Sequence, residues 1–244
     1  MTERVQRSPD WFDKEYFESG IQSGKSLYEN YRWLPDRLIE EAEVTLAFVK
    51  GTVSKKHDDI SGMKIVDFGC AMGFLVKALK ILGYENAYGV DVSKYAVENA
   101  DPDVADKIKL VEPIVFGQSF HVDALNNFWE AFAGIHEEKI DLLLARDVLE
   151  HIGEQNLVAT LEVLSRNCKY LYMCVPLGDD GKFYIPEMND DSSHVLPRPA
   201  IWWYEMLQAT GWSVLSAAHK IPGYKVRWRH HPYGFLNIIA SSSV

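Results

Sequence analysis

From Lys64 onward the chain alternates short apolar runs with stretches of helical periodicity. Lys64 to Phe68 reads as a strand that runs into glycine. Leu75, Ala78, Leu79 and Leu82 then recur at three- and four-residue spacing, which predicts a helix over 74–82 that Gly83 is placed to end. Ala87 to Val92 reads as a second strand, and Ser93 as the cap of a helix running to Ala100. Residues 107–123 carry one or two further strands and 125–136 a helix. Ile140 to Ala145 and Tyr170 to Val175 are strands, the first apolar enough to be buried on both faces as parallel strands are, with a helix over 157–164 between them. A long loop, 176–199, precedes a helix around Trp202 to Thr210 and two strand-like runs, 213–217 and 235–240. This order builds βαβ units, hence an α/β fold with a doubly wound, mostly parallel sheet and helices on both faces.

Residues 1–50 differ in character and are expected to pack on the core as a separate segment, with 51–244 forming the main domain. Trp11, Phe12, Tyr16, Phe17, Tyr28, Tyr31 and Trp33 are interleaved with Gly20 and Gly24, which suits a lid that excludes water. Leu38, Ile39, Ala42, Leu46 and Val49 mark one buried face of a helix from Pro35 to Lys50. The net charge of −10 argues against a general nucleic-acid surface, because phosphate binding needs clustered Lys and Arg. No apolar run approaches the ~20 residues of a membrane span, and Met1 to Arg4 leads into no secretory signal. Three cysteines, Cys70, Cys168 and Cys174, cannot all pair internally, so a reduced, cytoplasmic setting is expected.

Ligands of such sheets sit beyond the carboxyl ends of the strands. After the first strand comes Asp67-Phe68-Gly69-Cys70-Ala71-Met72-Gly73, small residues that let the backbone turn tightly ahead of a helix N-terminus. Phe74 stands where a dinucleotide-binding turn would have its third glycine, which disfavours a nicotinamide dehydrogenase. The second strand ends at Asp91, 24 residues after Asp67, where a carboxylate can accept from both hydroxyls of a ribose. Asp67 to Gly73 resembles the first motif of the class I S-adenosylmethionine-dependent methyltransferases, and Val90-Asp91-Val92-Ser93 their second. Asp141 to Ile152, with Asp147-Val148-Leu149-Glu150-His151-Ile152 at its end, resembles the strand-four region of the branch that modifies quinones and sugars.

The resemblance implies a Rossmann-like sheet of seven strands with an antiparallel last strand, and S-adenosyl-L-methionine as cofactor, leaving as S-adenosyl-L-homocysteine. It places Gly69, Cys70, Ala71 and Gly73 at the methionine end through backbone groups, and Asp67 near the cofactor amine. Asp91 and Val92 fall at the ribose, Asp123 and Ala124 at the adenine edge, and Arg146 where donor meets acceptor. Tyr28 and Tyr31 are the lid residues best placed to reach the site. The departure is Ala71 for the motif's middle glycine, which is tolerable with a negative φ. His151 and His194 are the candidate bases, being able to take a proton near neutral pH. Trp202, Trp203 and Tyr204 could form the opposite wall, with helix packing expected for at least one of them. No metal is expected: His230-His231 would point apart on a strand.

The function expected is methyl transfer to a small-molecule acceptor, with no membrane or nucleic-acid partner. An RNA- or protein-directed methyltransferase and a non-catalytic S-adenosylmethionine-binding module are the alternatives. The charge is unevenly spread: no acid follows Glu205, and the last 39 residues carry Lys220, Lys225, Arg227 and Arg229, leaving −14 on the rest. That segment is expected to face an anionic acceptor such as a phosphorylated or nucleotide-linked sugar.

Overall fold

The computed structural model describes residues 4–53, 60–113 and 139–243. Seven strands form one sheet: β1 (Ile65–Phe68), β2 (Ala87–Asp91), β3 (Ile108–Leu110), β4 (Ile140–Arg146), β5 (Cys168–Pro176), β8 (Trp212–Ala218) and β9 (Phe235–Ser242). Their order is β3-β2-β1-β4-β5-β9-β8. Strands β1 to β5 pair in parallel, and β9 runs antiparallel to both β5 and β8. A two-residue ladder, β6 (Gly178–Asp179) with β7 (Lys182–Phe183), lies in the long loop after β5.

Successive side chains on a strand point to opposite faces, so each central strand must be apolar throughout. Leu142, Leu144, Tyr170 and Tyr172 pack on one face with Leu46 and Val49 of α2 (Pro35–Val53) and Leu75 and Leu79 of α3 (Phe74–Ile81). Leu143, Leu171 and Met173 pack on the other with Leu157 and Leu161 of α5 (Glu154–Asn167) and Trp203 and Leu207 of α6 (Ala200–Ala209). The expected helix after the second strand is the short α4 (Lys94–Glu98), capped by the Ser93 side chain accepting from the Ala96 N–H. Helix α1 (Lys14–Ser23) precedes α2, its N–H groups capped by Asp13. The boundaries read for β1, β2, β4, β5, β8 and β9 hold to within two residues, whereas of the strand region expected over 107–123 the described part holds only β3, which ends at Leu110. The rest of that region beyond 113 and the helix expected over 125–136 lie outside the described residues.

Of the Trp202–Tyr204 run, Trp203 is the ring that packs into the core, fully buried beneath the sheet. Gly20 is not a hinge: a Cβ there would come within 1.9 Å of Ser26 Oγ, so the glycine is a close-packing position, and the irregular backbone is at Ser19.

Because β1, β2 and β4 are parallel and adjacent, their carboxyl ends reach the same edge, and the chain crosses in opposite directions from β1 and β4. The crevice at that reversal is the general ligand position of the architecture. The β1–β2 contact beneath it is tight. A Cβ on Gly89 would lie 2.6 Å from Cys70 Sγ and 2.8 Å from Ile108 Cδ1, whereas Gly51 on α2 has open space around it. Gly89→Ala should therefore lower unfolding free energy by about 1–3 kcal/mol, and Gly51→Ala raise it by about 0.5–1 kcal/mol. Urea denaturation of the two variants checks both signs.

Candidate active site

The turn after β1 places three residues in the left-handed region: Gly69 at φ 76°, Ala71 at 49° and Gly73 at 78°. Ala71 thus has the positive φ that the sequence argument required it to avoid, at a cost of about 1–2 kcal/mol. Its N–H is aimed at Asp91 Oδ2, 2.7 Å away, while Asp91 Oδ1 accepts from the Ser93 N–H at 2.7 Å. One carboxylate therefore ties the first turn to the end of β2 and to the start of α4, and that tie holds Ala71 in its strained conformation. Gly69 and Cys70 donate to Val90 O, and Gly73 to Cys70 O. Gly73 lies below the crevice, its Cα facing Ile108 and Val104.

The cleft has two joined compartments. The first, about 980 Å³ of open space, is mainly apolar and is lined by Phe12, Ala71, Asp91, Val92, Val111 and Ile152. The second, about 1200 Å³, is polar and is lined among others by Asp67, Arg146, Glu150, His151, His194 and Lys225. Tyr16, Tyr28, Gly69, Ala71, Asp147 and His151 border both. Of the residues singled out from sequence, Tyr28, Gly69, Ala71 and His151 line both; Asp91 and Val92 line the first; and Tyr31, Asp67, Cys70, Arg146 and His194 line the second. Asp123 and Ala124 lie outside the described residues.

The roof is aromatic. Tyr16 and Phe17 of α1 are buried against Ala71, Met72 and Phe74, with Phe12, Tyr28 and Tyr31 packed around them. Tyr31 stacks on Phe74 at 5.1 Å between centroids. Ser93 Oγ donates to Phe12 O at 2.5 Å. Arg4 donates to His194 O and Asn189 Oδ1, both at 2.8 Å, and Arg7 to Ser192 O at 3.2 Å. The N-terminal segment is thereby strapped to the loop that carries His194.

Charges in the polar compartment are buried. Asp67 is 5% exposed, and that burial pushes its carboxyl up to about 7 despite the neighbouring Arg146 guanidinium. Arg146 Nε and Nη1 are buried with no hydrogen-bond partner; Glu41 Oε2 lies 3.9 Å from Nη1 and the Tyr224 ring 5.9 Å from the guanidinium carbon. Asp147, with φ 53°, pairs with Lys225, with φ 54°, rather than with Arg146. Two residues in the left-handed region are thus held by one ion pair across the cleft. Arg227 and Trp228, beside Lys225, also line this compartment.

At its far side the His151 and His194 rings lie 4.7 Å apart. His194 Nδ1 donates to Met188 O at 2.9 Å. Ser193 Oγ lies 2.9 Å from His151 Nδ1 and donates to Asp191 Oδ1 at 2.5 Å, so it accepts from His151 Nδ1–H. Each imidazole therefore carries a proton on Nδ1. Burial, with His194 alongside, pulls His151 down to about 4, so it is neutral at physiological pH. Glu150, Asp191 and Ser193 were not identified from sequence. Glu150 stands next to His151 in the quoted motif, which was its one signal; nothing local marks Asp191 and Ser193. His230 and His231 sit in a turn before β9, not on a strand.

The model of a methyltransferase domain matches residues 43–219. The chain belongs to that family, the class I S-adenosylmethionine-dependent methyltransferases. Among curated relatives, the ubiquinone biosynthesis O-methyltransferase of Dictyostelium discoideum is 28% identical over 150 residues, 60% of this chain and 43% of that protein. The ribosomal protein L11 methyltransferase of Shewanella baltica is 40% identical over 60 residues, 22% of this chain and 20% of that one. The chain thus spans less than half the length of either relative. Among solved structures, a methyltransferase complexed with the Trm112 activator of Haloferax volcanii superposes with a TM-score of 0.60 at 16% identity, over 98% of this chain and 100% of the other. The magnesium protoporphyrin IX methyltransferase of Synechocystis with bound S-adenosylmethionine superposes at 0.55 and 14% identity, over 99% and 100%. These two likenesses concern the fold. No helix among the described residues is long and apolar enough to cross a membrane.

The raised Asp67 has a thermodynamic consequence. Between the ordinary carboxylate range and pH 7 the folded protein holds a proton that the unfolded chain has lost, so stability contributed by this group falls as pH rises through that window. Asp67→Asn should therefore raise Tm at pH 8, by a stabilisation of about 1–3 kcal/mol, and change it little at pH 4. An equal effect at both pH values would show that burial does not perturb this carboxyl.

Proposed function

We propose that the protein transfers a methyl group from S-adenosylmethionine to a small anionic acceptor. The observation that carries the reading is the division of one cleft into an apolar compartment ending at Asp91 and a polar one ending at His151 and His194. The cofactor supplies an already activated methyl group on sulfur. The donor set matches its parts. Asp91 retains acceptor capacity for the ribose diol at the floor of the apolar compartment, with Val92, Phe68 and Val111 beside the adenosine. Asp67 in its ionised form suits the ammonium, and the two unpartnered nitrogens of Arg146 suit the carboxylate of the methionine end. Asp123 and Ala124 are kept as the proposed adenine contacts on the sequence resemblance.

Catalysis in this reading is mostly alignment and exclusion of water. Tyr28, Tyr31 and the 1–50 segment act as the lid over the junction of the two compartments. His151 and His194 are the proposed catalytic residues, because both line the polar compartment and His151 also borders the apolar one. Arg227, exposed at the mouth, and Lys225 give that end its basic character. We also propose a cytoplasmic setting; the free cysteines Cys70, Cys168 and Cys174 are buried and consistent with it.

Titration calorimetry with S-adenosylhomocysteine tests the cofactor half. One molecule should bind per chain, and Asp91→Asn should weaken binding roughly 10–100-fold, the loss of one or two charge-assisted hydrogen bonds. Affinity should also rise with pH up to about pH 7, because only ionised Asp67 pairs with the ammonium, and Asp67→Asn should abolish that dependence. No binding, or binding indifferent to Asp91, overturns the assignment.

Labelled methyl transfer to a panel of nucleotide-linked sugars, phosphorylated sugars and quinone precursors tests the acceptor half. For the acceptor found, Arg227→Gln should raise KM several-fold without changing S-adenosylhomocysteine affinity. An unchanged KM removes the anionic acceptor from the proposal.

A further inference from the structure

Glu150 is fully buried, and neither of its carboxylate oxygens has a hydrogen-bond partner. A carboxylate in that position needs a proton or a cation. What faces it is neither a lysine nor an arginine at bonding distance but two histidines. One ligand atom each from Glu150, His151 and His194 lie within 4.8 Å of one another. Glu150 Oε1 is 4.0 Å from His194 Nε2, and Asp191 Oδ2 is 3.8 Å from the same nitrogen on its other flank.

The tautomers are already set for ligation. His194 gives its Nδ1 proton to Met188 O, and His151 gives its own to the Ser193 hydroxyl, which is held in turn by Asp191. Second partners of this kind orient metal-binding imidazoles and leave Nε2 free. We propose that Glu150, His151 and His194 form a binding site for a divalent transition-metal ion. Two imidazole nitrogens and one carboxylate favour Zn²⁺ or Co²⁺ over Mg²⁺, which prefers an all-oxygen set. Each donor would close in by less than roughly 1 Å to reach a bond of ~2.1 Å.

The site opens on the polar compartment, since all three residues line it. That leaves a coordination position for an acceptor atom, and a bound dication lowers the pKa of a hydroxyl on it. The acceptor class that fits is an oxygen acceptor. This last step rests on the methyl-transfer reading; binding of the ion does not.

The test uses full-length protein treated with chelator, dialysed, and titrated separately with ZnCl₂, CoCl₂ and MgCl₂ by calorimetry, with the Co²⁺ absorption spectrum recorded. One Zn²⁺ or Co²⁺ per chain is expected, with a visible cobalt band and weaker Mg²⁺ binding. Glu150→Gln and His194→Gln should each weaken Zn²⁺ binding 10–100-fold or more, and His230→Gln should leave it unchanged. Glu150→Gln removes a buried unpartnered charge, so it should fold and show a raised Tm without metal; His194→Gln is the independent second variant. Absence of stoichiometric binding, retention of it in both site variants, or loss of it in His230→Gln overturns the proposal; the first leaves Glu150 as a protonated carboxyl. S-adenosylhomocysteine titration of the same samples separates the two readings. Cofactor binding without metal binding removes the metal site alone, and metal binding without cofactor binding removes the methyl-transfer reading alone.

Discussion

The Asp91 carboxylate is the joint of the cleft. It accepts from the N–H of Ala71 in the turn after β1 and from the N–H of Ser93 at the start of α4, both at 2.7 Å. Ser93 in turn caps α4 through its side chain and donates to the carbonyl of Phe12 in the N-terminal segment. A short chain of hydrogen bonds thus connects the motif turn, the second strand, the next helix and the roof. Charge-assisted bonds of this sort are worth more than neutral ones, which is why they can hold Ala71 in a backbone region that a Cβ disfavours. The cofactor compartment depends on that geometry, because the floor and the aromatic cover are positioned by the same carboxylate.

Beyond the joint, the molecule buries charge. Asp67, Arg146, Glu150 and Asp191 all line one compartment, among aromatic walls from the N-terminal segment and from the stretch before β9. Several of these groups lack full hydrogen-bond satisfaction. In a protein interior that arrangement costs stability unless a ligand completes it. The unpartnered atoms of Arg146 and Glu150 stand at and just after the carboxyl end of β4, where the topology puts a crevice. Arg4 and Arg7 fasten the roof to the His194 loop, so the acceptor end is enclosed by parts of the chain nearly 190 residues apart.

The strands, the helices and the cofactor turn were legible because their signals are local. Period-two burial, three- and four-residue spacing and a small-residue turn before a helix need only neighbours in the chain to be read. Asp67, Asp91, Arg146 and His151 could be named because each sits at a strand end within such a pattern. Ala71 was misjudged because its φ is imposed by Asp91, 20 residues on, and not by its own neighbours. That Trp203 is the ring of the Trp202–Tyr204 run that faces the sheet was left open, because an aromatic run on a helix does not disclose which ring points inward.

Residue order alone thus decided the doubly wound architecture, the edge at which ligands gather and the acids that stand there, since these follow from periodicity and from the handed geometry of βαβ units. Tertiary structure decided the chemistry at the acceptor end. The pairing of Asp147 with Lys225, the imidazole tautomers set by Met188 and Ser193, and the unpartnered Glu150 all arise from contacts between distant segments. Protonation and charge pairing depend on burial and on distances of a few ångström. Packing fixes both, and no local pattern encodes either.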